Sequence, residues 1–215
     1  MKHKLISIIL FLTLAYVAPL LSNISLLTNP YIIFLIISAI VLIITQPSIS
    51  IDDLKKQNSN DKFSAMGILA GYLMTEIVSV VEWAYYKEQY HEFNFDLMTV
   101  IGILMIAGGT IFRVWSIQTL GKFFTAAVQT QENQKIIDKG AYKVIRHPSY
   151  LGAYIAFTGT AVLLHAYSGI IFSVIVMLAA YRYRIKVEEE TLLRSFGNEY
   201  GNYQKSTKKL IPFIY

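Results

Sequence analysis

Two short stretches carry residues whose types and spacing suit chemistry. In the first, basic residues are interleaved with aromatic ones: Tyr142, Lys143, Arg146 and His147 lead into Pro148, Ser149 and Tyr150. Proline is favoured in the first turn of a helix, where its missing N–H costs nothing, so a helix is predicted to open at Pro148. Arg146 and His147 then stand just outside a helix N-terminus, whose exposed amides favour a negative group. In the second stretch Arg184 and Glu188 are four residues apart and share one helix face. The simplest role for such a pair is a surface ion pair worth a few tenths of a kcal/mol, in the poorer cation-first order. At the lip of an apolar bundle the same two charges could hold two charged ligands side by side. Position separates these roles; spacing does not.

Three further charges fall inside apolar runs, where they are costly. Glu82 lies beside Trp83, Tyr85 and Tyr86 and reads as part of an interfacial belt. Glu76 is deeper and needs a partner, for which Arg113 or another cation is the candidate. Arg113 itself lies near the end of its run, within snorkelling reach of the headgroups. With no Cys, a disulfide framework, a thiolate metal site and a Cys nucleophile are excluded. Four scattered His without an HExxH pattern give no metal site either.

The elements that must position these residues are membrane spans. Of 215 residues 54% are apolar and only 15% are charged, and mean hydropathy is +0.47. An ordinary soluble domain carries about a quarter charged residues, and disorder needs low hydrophobicity. Four apolar runs, about 5–22, 31–46, 64–86 and 97–119, approach the roughly 20 residues that a crossing needs. A fifth, 150–182, is too long for one crossing and breaks at His165-Ala166-Tyr167-Ser168-Gly169, which predicts a hairpin of spans 150–165 and 168–182. The expected fold is therefore all-α: a polytopic membrane helix bundle of about six transmembrane helices, with the hairpin near the C-terminus and a short cytoplasmic C-terminal helix. The first run lacks a small-x-small cleavage site and is read as a retained helix. Gly67 and Gly71, and the pair Gly108-Gly109, are read as helix-packing positions.

Loop charge fixes the expected orientation. The N-terminus, the 47–63 loop, the 120–149 loop and the tail from Arg182 hold seventeen of the nineteen Lys and Arg residues. This places both termini in the cytoplasm, in a multi-pass integral membrane protein. The net charge of +5 is read as basic loops facing an anionic leaflet, with no nucleic-acid partner. Lys outnumbers Arg 14 to 5 and Ile is abundant. That suggests an AT-rich genome and a bacterial or archaeal cell membrane.

The run Arg146-His147-Pro148-Ser149-Tyr150-Leu151-Gly152 is followed by Arg184, Glu188-Glu189, Leu192 and Phe196-Gly197-Asn198-Glu199-Tyr200. Together they resemble the isoprenylcysteine carboxyl methyltransferase family, integral-membrane enzymes that use S-adenosyl-L-methionine. The stretch from Gly109 through Arg113, Trp115, Thr119 and Gly121 to Thr125, and the ending Ile211-Pro212-Phe213, resemble the family as well. The resemblance covers about residues 98–215. It implies a division into N-terminal spans and a polar loop, 1–96, and a catalytic and cofactor-binding region, 97–215.

The resemblance also implies roles. Gln129 stands where a polar residue approaches the nucleoside, and Gln134, Lys135, Ile136 and Ile137 match a segment lining the adenosine. Many relatives have His where this chain has Gln134. Tyr142 matches an aromatic of the adenosine pocket, and His147, Pro148, Ser149 and Tyr150 the loop around the methionine end. Glu188 matches the carboxylate that contacts the cofactor, and Arg184 the residue facing the acceptor. The implied pocket opens to the cytoplasm for the cofactor and to the lipid bilayer for a hydrophobic or prenylated carboxylate acceptor.

Elementary chemistry is compatible with this. A helix N-terminus with Arg146 and His147 suits the cofactor's carboxylate, and Glu188 suits its cationic end. A carboxylate acceptor is already ionised at neutral pH and needs no general base. Arg184 can orient it bidentately. Two other functions stay open: N-methylation of a phospholipid or other lipid amine, and a non-catalytic membrane scaffold or transporter.

Overall fold

A computed structural model describes residues 2–46, 64–125 and 133–212. Among these residues the protein is all-helical, and its one β-like feature is an isolated bridge between Ile145 and Lys208. Helix α1 (Lys2–Leu12) continues through a π-helical turn, Thr13–Val17, and then breaks. The next segment, the 3-10 helix Leu21–Thr28, leaves at 108°. Pro19 lies in the break; with no N–H and a fixed φ it cannot continue the helix. The expected run 5–22 thus falls on a bent pair, Lys4–Val17 and Leu21–Thr28. Helix α2 (Pro30–Thr45) starts cleanly, with Pro30 in its first turn and the Asn29 side chain accepting from Tyr31 N–H.

Helices α3 (Ser64–Tyr86) and α4 (Leu97–Leu120) are each long and apolar enough to cross a membrane, and the bent pair adds a third if it counts as one span. Helix α2, at 16 residues, is apolar but short. The expected hairpin is present as helices. Its first arm is α5 (Pro148–Leu163), and its second is α6 (Tyr167–Phe172), which runs through a π-helical turn, Ser173–Met177, into α7 (Leu178–Phe196). That second arm does not stop at 182. It projects as a polar helix to Gly197, whose positive φ of 53° ends it before the short helix α8 (Asn198–Ser206).

The closest helix contact is the antiparallel pair α4 and α5. A Cβ on Gly109 would lie 2.6 Å from Ala156 N and Gly152 O, and one on Gly102 would lie 2.6 Å from the Leu163 backbone. From the other side, a Cβ on Gly152 would lie 2.7 Å from Arg113 N, and one on Gly159 2.8 Å from Met105 Cβ. Glycines seven apart on both helices thus form a seam in which the two backbones touch. Only one member of each expected packing pair takes part. Gly109 and Gly71 are in contact, while Gly108 and Gly67 face open space.

The intramembrane charges settle differently from expectation. Glu76 accepts hydrogen bonds from Tyr16 Oη at 3.0 Å and from the Thr160 hydroxyl, not from Arg113. Arg113 is turned inward: Nη1 donates to Ser149 O at 2.7 Å and Nη2 to Gln46 Oε1 at 2.6 Å. Glu82 is more than a belt residue. Its carboxylate accepts from the backbone N–H groups of Tyr167, Ser168 and Gly169 and so caps α6 from a different helix. Beside it, Asp96 caps α4 through Thr99 N–H and holds His165 Nε2 at 2.8 Å. His165 occupies the hairpin corner with a φ of 53°.

Candidate functional site

Where α7 leaves the apolar bundle, its two faces meet different surroundings. Arg184 is 3% exposed. Its Nε donates to Tyr150 Oη at 3.1 Å, and the same hydroxyl donates to Glu188 Oε2 at 2.7 Å. The two charges one turn apart are therefore bridged by a tyrosine of α5. Tyr150 is itself fixed by its ring, parallel to His147 with centroids 5.5 Å apart and tilted against Tyr181 at 5.1 Å. Arg184 is also anchored from α3, through Nη1 to Ser64 Oγ at 2.8 Å.

Glu189, one residue on, looks the other way. Its Oε1 accepts from Arg146 Nε at 2.6 Å and lies 3.3 Å from His147 Nε2. Its Oε2 meets Gln204 Nε2 at 3.3 Å and Lys209 Nζ at 3.7 Å. Burial alone would raise the Glu189 pKa, but hydrogen bonds and charge from His147 and Arg146 outweigh it and hold the carboxyl down at about 2. Arg146 also donates to the carbonyls of Gln204 and Thr207. The backbone joins in, with Arg146 N–H on Lys208 O, His147 N–H on Lys209 O and Lys208 N–H on Val144 O. The C-terminal segment is thus a strap laid along the loop that precedes α5.

Between these elements lies a cleft, enclosing about 870 Å³ not filled by protein atoms, its open mouth included. One wall holds Gln134, Lys135, Ile136 and Ile137. Tyr142, His147, Ser149 and Tyr150 form the floor, and Arg184 and Glu188 the side toward the bundle. Pro148 is buried at the first position of α5 directly behind them. The expected residues are therefore brought together, with two differences. Gln129 lies outside the described residues. Arg146 borders the cleft, while its Nε and Nη1 donate to Glu189, Thr207 and Gln204, so its charge also holds the strap.

Tyr142 lies deep in the floor. Burial first, and then the nearby Glu188 carboxylate, push its phenol well above the usual tyrosine range, so it stays neutral. Its carbonyl accepts from Tyr203 Oη at 2.7 Å, which ties the floor to α8.

Sequence reasoning missed the aromatic wall: Phe123 and Phe124 after α4, Phe196 at the end of α7, and Tyr200 and Tyr203 on α8. It also missed Glu189 and Ser64. Chemically the cleft offers a partly exposed carboxylate, a buried guanidinium one turn away and flat apolar walls. That set suits a ligand with a cationic group and an aromatic body, beside a second ligand carrying a carboxylate.

Comparison with known proteins identifies relatives of the chain. Residues 100–194 match the family model of the isoprenylcysteine carboxyl methyltransferase (ICMT) family. Protein-S-isoprenylcysteine O-methyltransferase B of Arabidopsis thaliana is 32% identical over 161 residues, 70% of this chain and 78% of that protein. The Saccharomyces cerevisiae protein-S-isoprenylcysteine O-methyltransferase is 33% identical over 120 residues, 55% of this chain and 50% of that one. A solved structure of the eukaryotic intramembrane Ras methyltransferase ICMT superposes with a TM-score of 0.63 at 23% identity, covering 96% of this chain and 72% of its own. It shares the membrane fold. These relatives come from a plant and a yeast, and others from rice, a frog and rodents. They give no support to the bacterial or archaeal source that composition suggested. Identity to a plant relative over more than three-quarters of its length, with the same helical fold, places the chain in the isoprenylcysteine carboxyl methyltransferase family.

Proposed function

We propose that this protein transfers a methyl group from S-adenosyl-L-methionine to the carboxylate of a hydrophobic acceptor, with a C-terminal S-isoprenylcysteine as the acceptor class. The observation that carries this reading is the Arg184–Tyr150–Glu188 bridge on the wall of the cleft. It sets an anion-binding group and a cation-binding group one helical turn apart, with neither used to close a backbone.

The donor supplies an electrophilic methyl carbon on a sulfonium. Glu188, with its side chain 27% exposed, attracts the cationic end of that donor. Tyr142, Ile136 and Ile137 take the flat nucleoside, and His147, Ser149 and the opening turn of α5 enclose the remainder. Gln134 through Ile137 and Gln129 keep the roles that the resemblance gives them. Arg184 orients the acceptor carboxylate through its planar fork. Held this way, the acceptor oxygen would face the donor's methyl carbon, and the carbon–sulfur bond would break as the oxygen–carbon bond forms. The acceptor's negative charge cancels the sulfonium's positive charge, so no proton moves and no base is needed. The protein contributes alignment and exclusion of water, the latter through Phe123, Phe124, Leu192 and Phe196.

The membrane arrangement belongs to the same reading. Six crossings with both termini cytoplasmic accord with the distribution of basic residues, and they put the cleft at the cytoplasmic surface, where the donor is found. The division at 96/97 separates spans from the half that forms the cleft. Labelled methyl donor, presented with either a prenylcysteine or an amine lipid in bilayers, tests the reading. Label in a base-labile ester of the prenylcysteine is the expected result. Label in the amine lipid alone would replace carboxyl transfer with N-methylation.

A further inference from the structure

Arg184 belongs to α7, yet it is anchored from the other half of the chain. Ser64, in the first turn of α3, lies 120 positions away in sequence and is 2% exposed, with its Oγ accepting from Arg184 Nη1 at 2.8 Å. Tyr150 Oη accepts from Nε of the same guanidinium at 3.1 Å. A guanidinium presents five N–H donors in one rigid plane. One anchor fixes a point of that plane but leaves it free to rock. Two anchors on different nitrogens fix its rotation as well, and with it the direction in which the fork meets a carboxylate. Ser64 and Tyr150 come from separate helices, so the plane is set by the way α3 packs beside α5 and α7.

We infer that Ser64 is a positioning residue for the acceptor: it holds the Arg184 plane in the orientation that receives the carboxylate. The inference rests on the carboxylate-methylation reading above and extends the site into the N-terminal spans. A hydroxyl needed only for folding would change stability and affect both substrates alike. A hydroxyl that orients Arg184 affects the acceptor side alone.

Steady-state methyl transfer, with prenylcysteine and S-adenosyl-L-methionine varied in turn, separates these roles. Ser64→Ala is expected to lower kcat/KM for the acceptor about tenfold, as loss of one hydrogen bond to a charged group implies. The KM for the donor is expected to move by less than about twofold. Ser64→Thr, which keeps a hydroxyl, restores most of the activity. On an Arg184→Lys background, which has no Nη1, Ser64→Ala adds less than about twofold. If Ser64→Ala does not fold, Ser64→Cys, nearly isosteric but a weak hydrogen-bond acceptor, serves in its place. Near-parent kinetics in Ser64→Ala with Arg184→Lys impaired would overturn the inference alone. So would an equal rise in both KM values, or the same loss on both backgrounds. A parent protein that leaves prenylcysteine unmethylated while binding the donor would overturn the reading and the inference together.

Discussion

The two ends of the bundle use the same kinds of charged residue to opposite effect. At the hairpin end, Glu82 closes on three backbone N–H groups of α6, and Asp96 closes on Thr99 N–H and the ring of His165. Each carboxylate there completes a helix terminus, and its charge is answered by the protein itself. At the other end, Glu188 meets a tyrosine hydroxyl and Arg184 meets hydroxyls from two helices. Hydroxyls orient a charge without neutralising it. A carboxylate such as Glu188, held by the Tyr150 hydroxyl with His147 Nδ1 at 3.8 Å and its side chain 27% exposed at the edge of a cleft, keeps a strong attraction for a charged ligand. What answers the charge therefore tells a structural ionisable residue from a binding one more reliably than burial does.

Glu188 and Glu189 carry the same contrast within one turn of α7. Glu189, only 8% exposed, is tied to Arg146 and His147, whereas Glu188 is 27% exposed. The largest effect is expected on breaking the buried pair. Glu189→Gln leaves Arg146 buried without its counter-charge, and such losses cost about 3–5 kcal/mol. Thermal unfolding in detergent should show it, together with release of the C-terminal strap. A Glu189 variant as stable as the parent would mean that the strap is not held by this pair. Acid should reach the same state. The carboxyl is held at about 2 against an ordinary 4.5, so its contribution is complete above the ordinary value. It is lost as pH falls from there toward 2, and amounts to about 3 kcal/mol. Protease access to the C-terminal segment, followed between pH 6 and pH 3, checks the direction.

Glu188 and its neighbour Arg184 should behave differently. Arg184→Lys keeps the charge but loses the planar fork, and should lower turnover ten- to a hundredfold, or about 1.4–2.8 kcal/mol of transition-state stabilisation. Donor binding should hardly change. Glu188→Gln keeps the shape but loses attraction for a cation, and should chiefly raise the donor's KM. Parent-like kinetics in both variants would remove both residues from the site and erase the contrast between the two ends of the bundle.

Much of this was legible in the sequence because the site's floor is nearly continuous along the chain. Tyr142 through Tyr150 form one loop and one helix start, so a local motif carries the geometry. The opening of a helix at Pro148 followed from proline chemistry alone. Other features depend on which way a residue faces, and sequence does not carry that. In Glu188-Glu189-Glu190 three identical residues have three different surroundings. Phe123, Phe124 and Phe196 stand inside the stretches that carry the resemblance, but nothing in their type or spacing says that they wall a cleft. Ser64 ends a polar loop, where a serine is unremarkable. The glycine seam did leave a trace, since Gly102 and Gly109 are seven apart, as are Gly152 and Gly159. A heptad comparison of the two runs would have found it where adjacency singled out Gly108-Gly109. The bend after Val17 had its signal in Pro19.

The smallest effect belongs to the hairpin end and sharpens the comparison most. Glu82→Gln keeps one acceptor oxygen and the side-chain volume but removes the charge at the start of α6. Loss of an anion at a helix N-terminus, with one or two charge-assisted hydrogen bonds weakened, should cost about 1 kcal/mol of stability. The segment it caps runs unbroken from Tyr167 through a π-helical turn into α7, which carries Arg184 and Glu188. Were the cap a distant part of the machinery, loosening it would shift those two residues and raise the KM of one substrate. If instead its charge is answered wholly by the backbone it caps, the effect ends there. The melting temperature should fall by a few degrees, while kcat and both KM values stay within about twofold of the parent. Glu82→Ala, which removes the acceptor altogether, should lower the melting temperature further and still leave the kinetics in place. A kinetic change in Glu82→Gln that exceeds its stability change would show that the two ends are coupled along α6 and α7, and that the division between structural and binding charges does not hold.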